Sequence, residues 1–237
     1  MALLRWIIGP VRREGFVCLS HSVRSAKKLY PELNLLICHN RLDDDQLALV
    51  NRLDVPTFDQ KDAEGITATR PNNNFGFCWK LYPPRISLGE HEIVMDNDVV
   101  LEKRVPQIDS FLNGDHTLFC EGVLGLHGRF GKHIEGVKVN SGIYGMPPGF
   151  DFAAVCRKIC GEKKLSSWER RHDEQGIVGA TLLSYDEPLI VPLTTVAFLR
   201  PHAKYQSGFC GYHFSGINSR PDHPPWRQHL SKIIKIT

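Results

Sequence analysis

The chain has 237 residues, 42% hydrophobic and 23% charged, and its 29 basic and 26 acidic residues leave a net charge of +3 at pH 7. A chain of this length buries roughly 70–75% of its unfolded surface, so a core can form without disulfides or a structural metal, and one α/β domain is the expectation. The small, scattered positive charge argues against a dedicated nucleic-acid binder, which needs clustered phosphate contacts, and no apolar run approaches the roughly 20 residues that cross a bilayer.

The apolar run at the start, Leu3 to Ile8, contains Arg5 and is too short for a signal-peptide core. A soluble, cytoplasmic protein is expected. Seven cysteines are spread along the chain without a Cys-x-x-Cys pair. Most lie in apolar segments such as Leu35-Leu36-Ile37-Cys38, so they read as reduced core thiols, and the Cys156–Cys160 spacing is not taken as a zinc site.

In chain order, Leu3 to Gly9 suits a buried strand closed by Gly9-Pro10. Phe16, Leu19, Val23, Ala26 and Tyr30 recur every three or four residues, the stripe of an amphipathic helix that Pro31 ends. Asn34 to His39 is a second strand. Asp43, Asp44 and Asp45 then open a helix carrying Leu47, Val50 and Leu53, with the acids at the favourable end of its dipole. Val55 to Phe58 reads as a third strand, and the alternation of strand and helix predicts a Rossmann-type, mostly parallel sheet flanked by helices.

Residues 59–76 are polar and read as a loop over the sheet, followed by a short helix from Cys78 to Arg85 cut by Pro83-Pro84. Beyond residue 115 the pattern predicts a strand at Thr117 to Glu121, a turn region at 122–136 and a strand through Val137 to Gly145. It continues with a helix from Phe152 to about Lys163 and a segment Trp168 to Thr181 that holds His172-Asp173-Glu174-Gln175-Gly176. A Pro-rich run to Trp226 and a tail with Ile233, Ile234 and Ile236 could close a site, pack on the core or contact a partner, and packing on the core is the expectation. No composition break marks a linker. One domain over residues 1–237 is expected, with a substrate-binding half at 1–114 and a half at 115–237 that completes the sheet and lines the acceptor side.

The stretch with most chemistry is Met95-Asp96-Asn97-Asp98-Val99-Val100-Leu101. Two carboxylates separated by one residue at a strand end can share one hard cation, Mg²⁺ or Mn²⁺, if the backbone bends there. In open α/β sheets, ligands gather at the carboxyl ends of the strands, where this pair falls. The plainer alternative is a solvated turn in which Asp96 caps a helix and Asp98 faces water. Buried strands rarely deliver two acids without a partner cation or base.

The order of motifs resembles glycosyltransferases of the GT-A fold, in particular the glycogenin-like family 8. Met95-Asp96-Asn97-Asp98-Val99-Val100-Leu101 is similar to their Asp-x-Asp strand. Asn140-Ser141-Gly142-Ile143, Glu174-Gln175-Gly176 and His213-Phe214-Ser215-Gly216 follow in the family's order of Asn-Ser-Gly, Asp-Gln and His-Phe-x-Gly-x-x-Lys-Pro-Trp. The likeness spans most of the chain, and the joint order carries it. It implies a nucleotide-sugar transferase, with a UDP-sugar as the expected donor and a carbohydrate, lipid or protein as acceptor. It further implies a divalent cation on Asp96, Asp98 and His213, and donor contacts from Lys80, Asn97, Asn140, Ser141, Gly142 and Gly216. Asp173, Glu174 and Gln175 then stand where the family places groups beside the anomeric carbon, and retention of configuration is the implied outcome.

Two departures stand out. Glu174 replaces the family's aspartate, with Asp173 a rival for its role. The Lys-Pro-Trp is displaced by Ile217 to Trp226, so that Arg220 or Arg227 is left as the cation for the diphosphate. Two other classes share the acid pair. A nucleotidyltransferase needs a Gly-rich phosphate loop after its first strand, and Gly9-Pro10-Val11-Arg12-Arg13 has one glycine. A non-catalytic nucleotide-sugar binder would account for the altered motifs.

Overall fold

The computed structural model describes residues 2–66, 78–134, 136–162, 172–218 and 222–234. The first apolar run is strand β1 (Leu3–Ile8), buried throughout. Helix α1 (Arg13–Leu29) turns Phe16, Leu19, Val23 and Ala26 into the core. After strand β2 (Asn34–His39), Asp43 caps helix α2 (Asp44–Asn51): its carboxylate accepts from the Gln46 amide at 2.8 Å and the Gln46 side chain bonds back to the Asp43 amide. Strand β3 (Thr57–Asp59) begins beyond the expected Val55. β3, β2, β1 and strand β4 (Glu92–Asp96) are parallel, with β2 on one side of β1 and β4 on the other. The strand order therefore reverses at β1, and crevices form at the carboxyl ends of strands flanking such a reversal.

The second half completes this sheet mainly through antiparallel pairs. Strand β5 (Val99–Leu101) leaves it, and strand β6 (Leu118–Glu121) and strand β7 (Val139–Met146) return to it. β7 inserts antiparallel beside β4, β6 pairs antiparallel with β7, and strand β8 (Leu189–Val191) adds parallel to β6. The result is one seven-stranded sheet, β3-β2-β1-β4-β7-β6-β8. All eight residues of β7 are buried, as a strand covered on both faces must be. Helices α3 (Pro106–Leu112), α4 (Phe152–Glu162) and α5 (Asp173–Leu183) lie in this half. A separate sheet pairs β5 with strand β10 (Gly211–His213) and β10 with strand β9 (Val196–Phe198).

The helix expected at Cys78 to Arg85 is one short turn at 78–81. Pro83 and Pro84 cannot extend it, and Gln60 Nε2 captures the carbonyls of Trp79 and Tyr82 at 2.8 and 2.6 Å. The loop expected at 59–76 begins with β3's end and a 3-10 turn at Gln60–Asp62, while residues 67–77 lie outside the described residues, as do 168–171. Helix α3 and strands β8 and β9 are too short for periodicity to have marked them.

Two apolar clusters lie on the faces of the large sheet, one around Trp79, Tyr144 and Phe152, the other around Trp6, Leu19 and Phe111. A third sits under helix α6 (Pro224–Ile234), where Trp226 meets Cys18, Tyr212 and Phe214. The start of the tail thus packs on the core; the side chains of Ile233, Ile234 and Ile236 lie outside the described residues. All seven cysteines are free thiols and six are buried. Among the described residues no helix is long and apolar enough to cross a membrane.

His229 on α6 is fully buried against Tyr212, Phe214 and Trp226, with ring centroids 5.1 to 5.7 Å apart. Burial, then the nearby His21 and Lys232, hold its pKa down to about 4 even though Glu102 Oε1 lies 3.4 Å from Nδ1. The unfolded chain protonates this group near pH 6.5 and the folded chain only near 4, so its neutral burial is fully tolerated above 6.5 and stability falls as pH drops between the two. The expected loss is about 3 kcal/mol by pH 4. Urea unfolding from pH 7 to 4.5 checks this: His229→Phe should flatten the decline, and an equally steep profile in the variant would assign it elsewhere.

Candidate active site and metal centre

Asp96 ends β4, and the turn Asn97-Asp98 carries the chain from the large sheet into β5 of the small one. There Val99 pairs with His213, and the Phe214 amide donates to the Asp98 carbonyl at 2.8 Å. This antiparallel pairing delivers an imidazole from far along the chain to the acid pair. His213 Nε2 lies 3.3 Å from Asp98 Oδ1 and 3.9 Å from Asp96 Oδ2, and one ligand atom from each residue falls within 4.8 Å of the others. Gly142 is what leaves room for the ring: in the β7 ladder it follows the Ile143–Met95 pair, and a Cβ on it would stand 2.5 Å from the His213 ring and 2.8 Å from Asn140 Oδ1.

Lys80 ties the acids together. Its Nζ is 2.7 Å from Asp96 Oδ1 and 3.4 Å from Glu174 Oε1, and it donates to the Ser141 carbonyl at 2.9 Å and hydroxyl at 3.2 Å. Burial works against its charge, but Asp96 and Glu174 outweigh that and raise its pKa, so the ammonium stays charged. Burial raises the pKa of Glu174, opposed by Lys80. For His213, burial opposes protonation while Asp98, and behind it Asp96, prevail and raise the pKa.

The segment that presents Lys80 is itself fastened. Arg5, buried in β1, pairs through Nε with Glu92 Oε1 at 2.7 Å and donates to the Pro84 carbonyl at 3.0 Å, while Glu92 Oε2 accepts from the amides of Ile86 and Ser87. Asn40 Nδ2 holds Gln60 Oε1 at 3.2 Å, so that Gln60 can grip Trp79 and Tyr82. The sequence reading did not single out Arg5, Gln60 or Glu92, although an arginine inside an apolar strand was a signal.

A cleft of about 610 Å³ opens over these groups, lined by Lys80, Asp96, Asp98, Asn140, Ser141, Glu174, Gln175, His213 and Gly216 among others. Gln175 stands at its edge, its amide donating to the Leu126 carbonyl at 2.8 Å. Three expectations need correction. Asp173 is fully buried outside the cleft: its carboxylate accepts the Arg129 amide and Nε, each at 2.9 Å, which fixes the start of α5 rather than facing a ligand. Asn97 points away toward α1 and exchanges hydrogen bonds with Asn218 at 2.9 and 3.0 Å, because the turn that aims Asp96 and Asp98 into the cleft aims the residue between them out of it. Arg227 is exposed, paired with Asp222 at 3.3 Å, and does not line the cleft. Arg220 lies outside the described residues. The cleft also contains Arg200, His202 and the loop residues Val123, Leu124 and Leu126, none of them marked by a motif.

No protein-family model matches the chain, and no curated protein matches it. Solved structures do. The galactosyltransferase LgtC, in complex with donor and acceptor sugar analogues, is 10% identical with a TM-score of 0.62, over 99% of this chain and 95% of that one. The chain has the GT-A glycosyltransferase fold. Mouse xyloside xylosyltransferase 1 is 10% identical with a TM-score of 0.57, over 93% of this chain and 99% of that one. The bifunctional glycosyltransferase WbbM is 11% identical with a TM-score of 0.62, over 98% of this chain and 51% of that one. The residues here fit a divalent cation: two carboxylates and an imidazole converge with no thiol among them, and a glycine makes room for the ring. Such a set of oxygen donors with one borderline nitrogen suits Mn²⁺ or Mg²⁺.

Two outcomes follow from this geometry. Glu92→Gln leaves Arg5 buried without its counter-charge and should destabilise the fold by about 3–5 kcal/mol in urea unfolding. Gly142→Ala should weaken Mn²⁺ binding by at least about tenfold in calorimetry, because the displaced ring is one of three protein ligands; unaltered binding would mean that His213 does not ligate.

Proposed function

We propose that this protein is a metal-dependent glycosyltransferase that moves a sugar, a hexose in our reading, from a nucleotide-sugar to an acceptor hydroxyl. The carrying observation is the convergence of Asp96, Asp98 and His213 on one point of the GT-A cleft. The likeness of the motifs to family 8 supports a UDP-sugar donor, Mn²⁺ and retention of configuration. In this reading residues 1–114 supply most of the nucleotide side and residues 115–237 the acceptor side. The free, buried thiols fit a cytoplasmic setting.

Asp96, Asp98 and His213 would hold the cation, which when bound supplies a Lewis acid against the charge of the departing diphosphate. The chain's own groups do the positioning. Asn140 and Ser141 offer an amide and a hydroxyl to the sugar from the wall beside Asp96. Glu174 presents a carboxylate, and Gln175 stands at the cleft edge beside it. Lys80 holds Asp96 and Glu174 in register through the contacts described, so the site is assembled before substrate arrives. Fixed dipoles and charges of this kind stabilise a transition state without reorganising during the reaction.

The test is release of nucleoside diphosphate from a panel of UDP-, GDP- and ADP-sugars with Mn²⁺ and acceptor extracts. Asp98→Asn should reduce release by at least about a hundredfold, in the range for loss of a group that organises transition-state charge; an unchanged rate would end the metal role. Pyrophosphate formed from a nucleoside triphosphate and a sugar phosphate would instead mark a nucleotidyltransferase, and donor binding without turnover a binding protein.

A further inference from the structure

The reading of the cleft as a nucleotide-sugar site leaves its charge balance open, and the following rests on that reading. Asp96, Asp98 and Glu174 line the cleft as carboxylates, and a nucleotide-sugar adds one negative charge per phosphate. A divalent cation and Lys80 return only part of this, and Lys80 is already engaged by Asp96 and Glu174. The motif order leaves Arg220 or Arg227 as a candidate for a further cation. Arg227 is turned to solvent and paired with Asp222. Arg200, by contrast, lines the cleft and, among the described residues, has no carboxylate within ion-pair distance.

The position of Arg200 follows from the same small sheet that places the metal ligand. β9 runs parallel to β10 with Phe198 opposite His213, and the Leu199 amide donates to the His213 carbonyl at 2.8 Å. The Phe198 ring meets the His213 ring edge to face at 4.9 Å, and the Arg200 guanidinium carbon lies 5.6 Å from the centre of the Phe198 ring. Arg200 is thus linked to the metal ligand through the Phe198 ring, two residues beyond the end of the strand paired with the ligand's own. Across the cleft rim, Pro201 borders Gly216, whose φ of +95° turns the chain after His213. A guanidinium presents a planar fork that matches two phosphate oxygens at once and cannot lose its proton.

From this we infer that Arg200 is the positioning cation for the donor's distal phosphate. It binds the phosphate that bears the sugar and leaves the nucleoside and its first phosphate to the rest of the site.

Calorimetry on the full chain with Mn²⁺ tests this, using UDP, GDP and ADP and the corresponding monophosphates as probes. Arg200→Gln should weaken the best-bound diphosphate by at least about tenfold, the loss of a charge-assisted hydrogen bond. The matching monophosphate should change less than about twofold, and Arg200→Lys should recover part of the loss. Arg227→Gln should bind as the wild type does. Diphosphate binding unaffected by Arg200→Gln, or an equal loss of diphosphate and monophosphate, overturns the inference, as does a selective loss in Arg220→Gln instead. If the wild type binds none of the diphosphates, the nucleotide reading of the cleft fails, and this inference with it.

Discussion

Three backbone pairings, Leu101 with Gly211, Val100 with Tyr212 and Val99 with His213, hold an imidazole against two carboxylates that precede it by more than a hundred residues. The pairing comes immediately after the acids in the chain, so the turn at Asn97-Asp98 and the strand that receives His213 form one rigid corner. Asp98 and His213 are both buried there, at 6% and 8% exposure, with His213 Nε2 3.3 Å from Asp98 Oδ1. The β5–β10 ladder thus does more than join two sheets: it brings an imidazole to a buried aspartate and sets one ligand atom each of Asp96, Asp98 and His213 within 4.8 Å of the others.

Around that corner the molecule spends buried charge in a chain of linked pairs. Lys80 bridges Asp96 and Glu174, Glu92 neutralises Arg5, and Arg5 and Gln60 together hold the carbonyls of the segment from which Lys80 projects. Buried pairs of this type add little net stability compared with apolar packing, and removing one partner is costly. Their value here is positional, because each fixes the geometry of the next. The Arg129–Asp173 pair plays the same part for α5, fastening its first turn so that the following residue, Glu174, faces the cleft.

Much of this fold was legible in advance because its signals are local. Asn34 to His39, the stripe from Phe16 to Tyr30 and the acids before Leu47 each declare an element through period or end chemistry, and the elements observed there follow them closely. The Asp-x-Asp after an apolar strand and the glycine after Asn140-Ser141 were visible for the same reason. Asp173 and Asn97 misled because neighbours in sequence point in different directions once a helix starts or a turn closes: Asp173 serves Arg129 while Glu174 meets Lys80, and Asn97 serves Asn218 while Asp96 and Asp98 face the cleft. Arg200 carried no motif, and its place shows only when β9 pairs with β10.

The sequence by itself therefore determined the alternation of strands and helices, the apolar faces and the acid pair at a strand end, since these depend on residues within one or two turns of each other. The tertiary structure decided that β7 enters antiparallel beside β4, that His213 reaches Asp98, and which of two adjacent acids faces the cleft. Those are questions of which distant backbone groups hydrogen-bond and which charges are buried together, and the pairing energy that answers them exists only after the chain has closed its long loops.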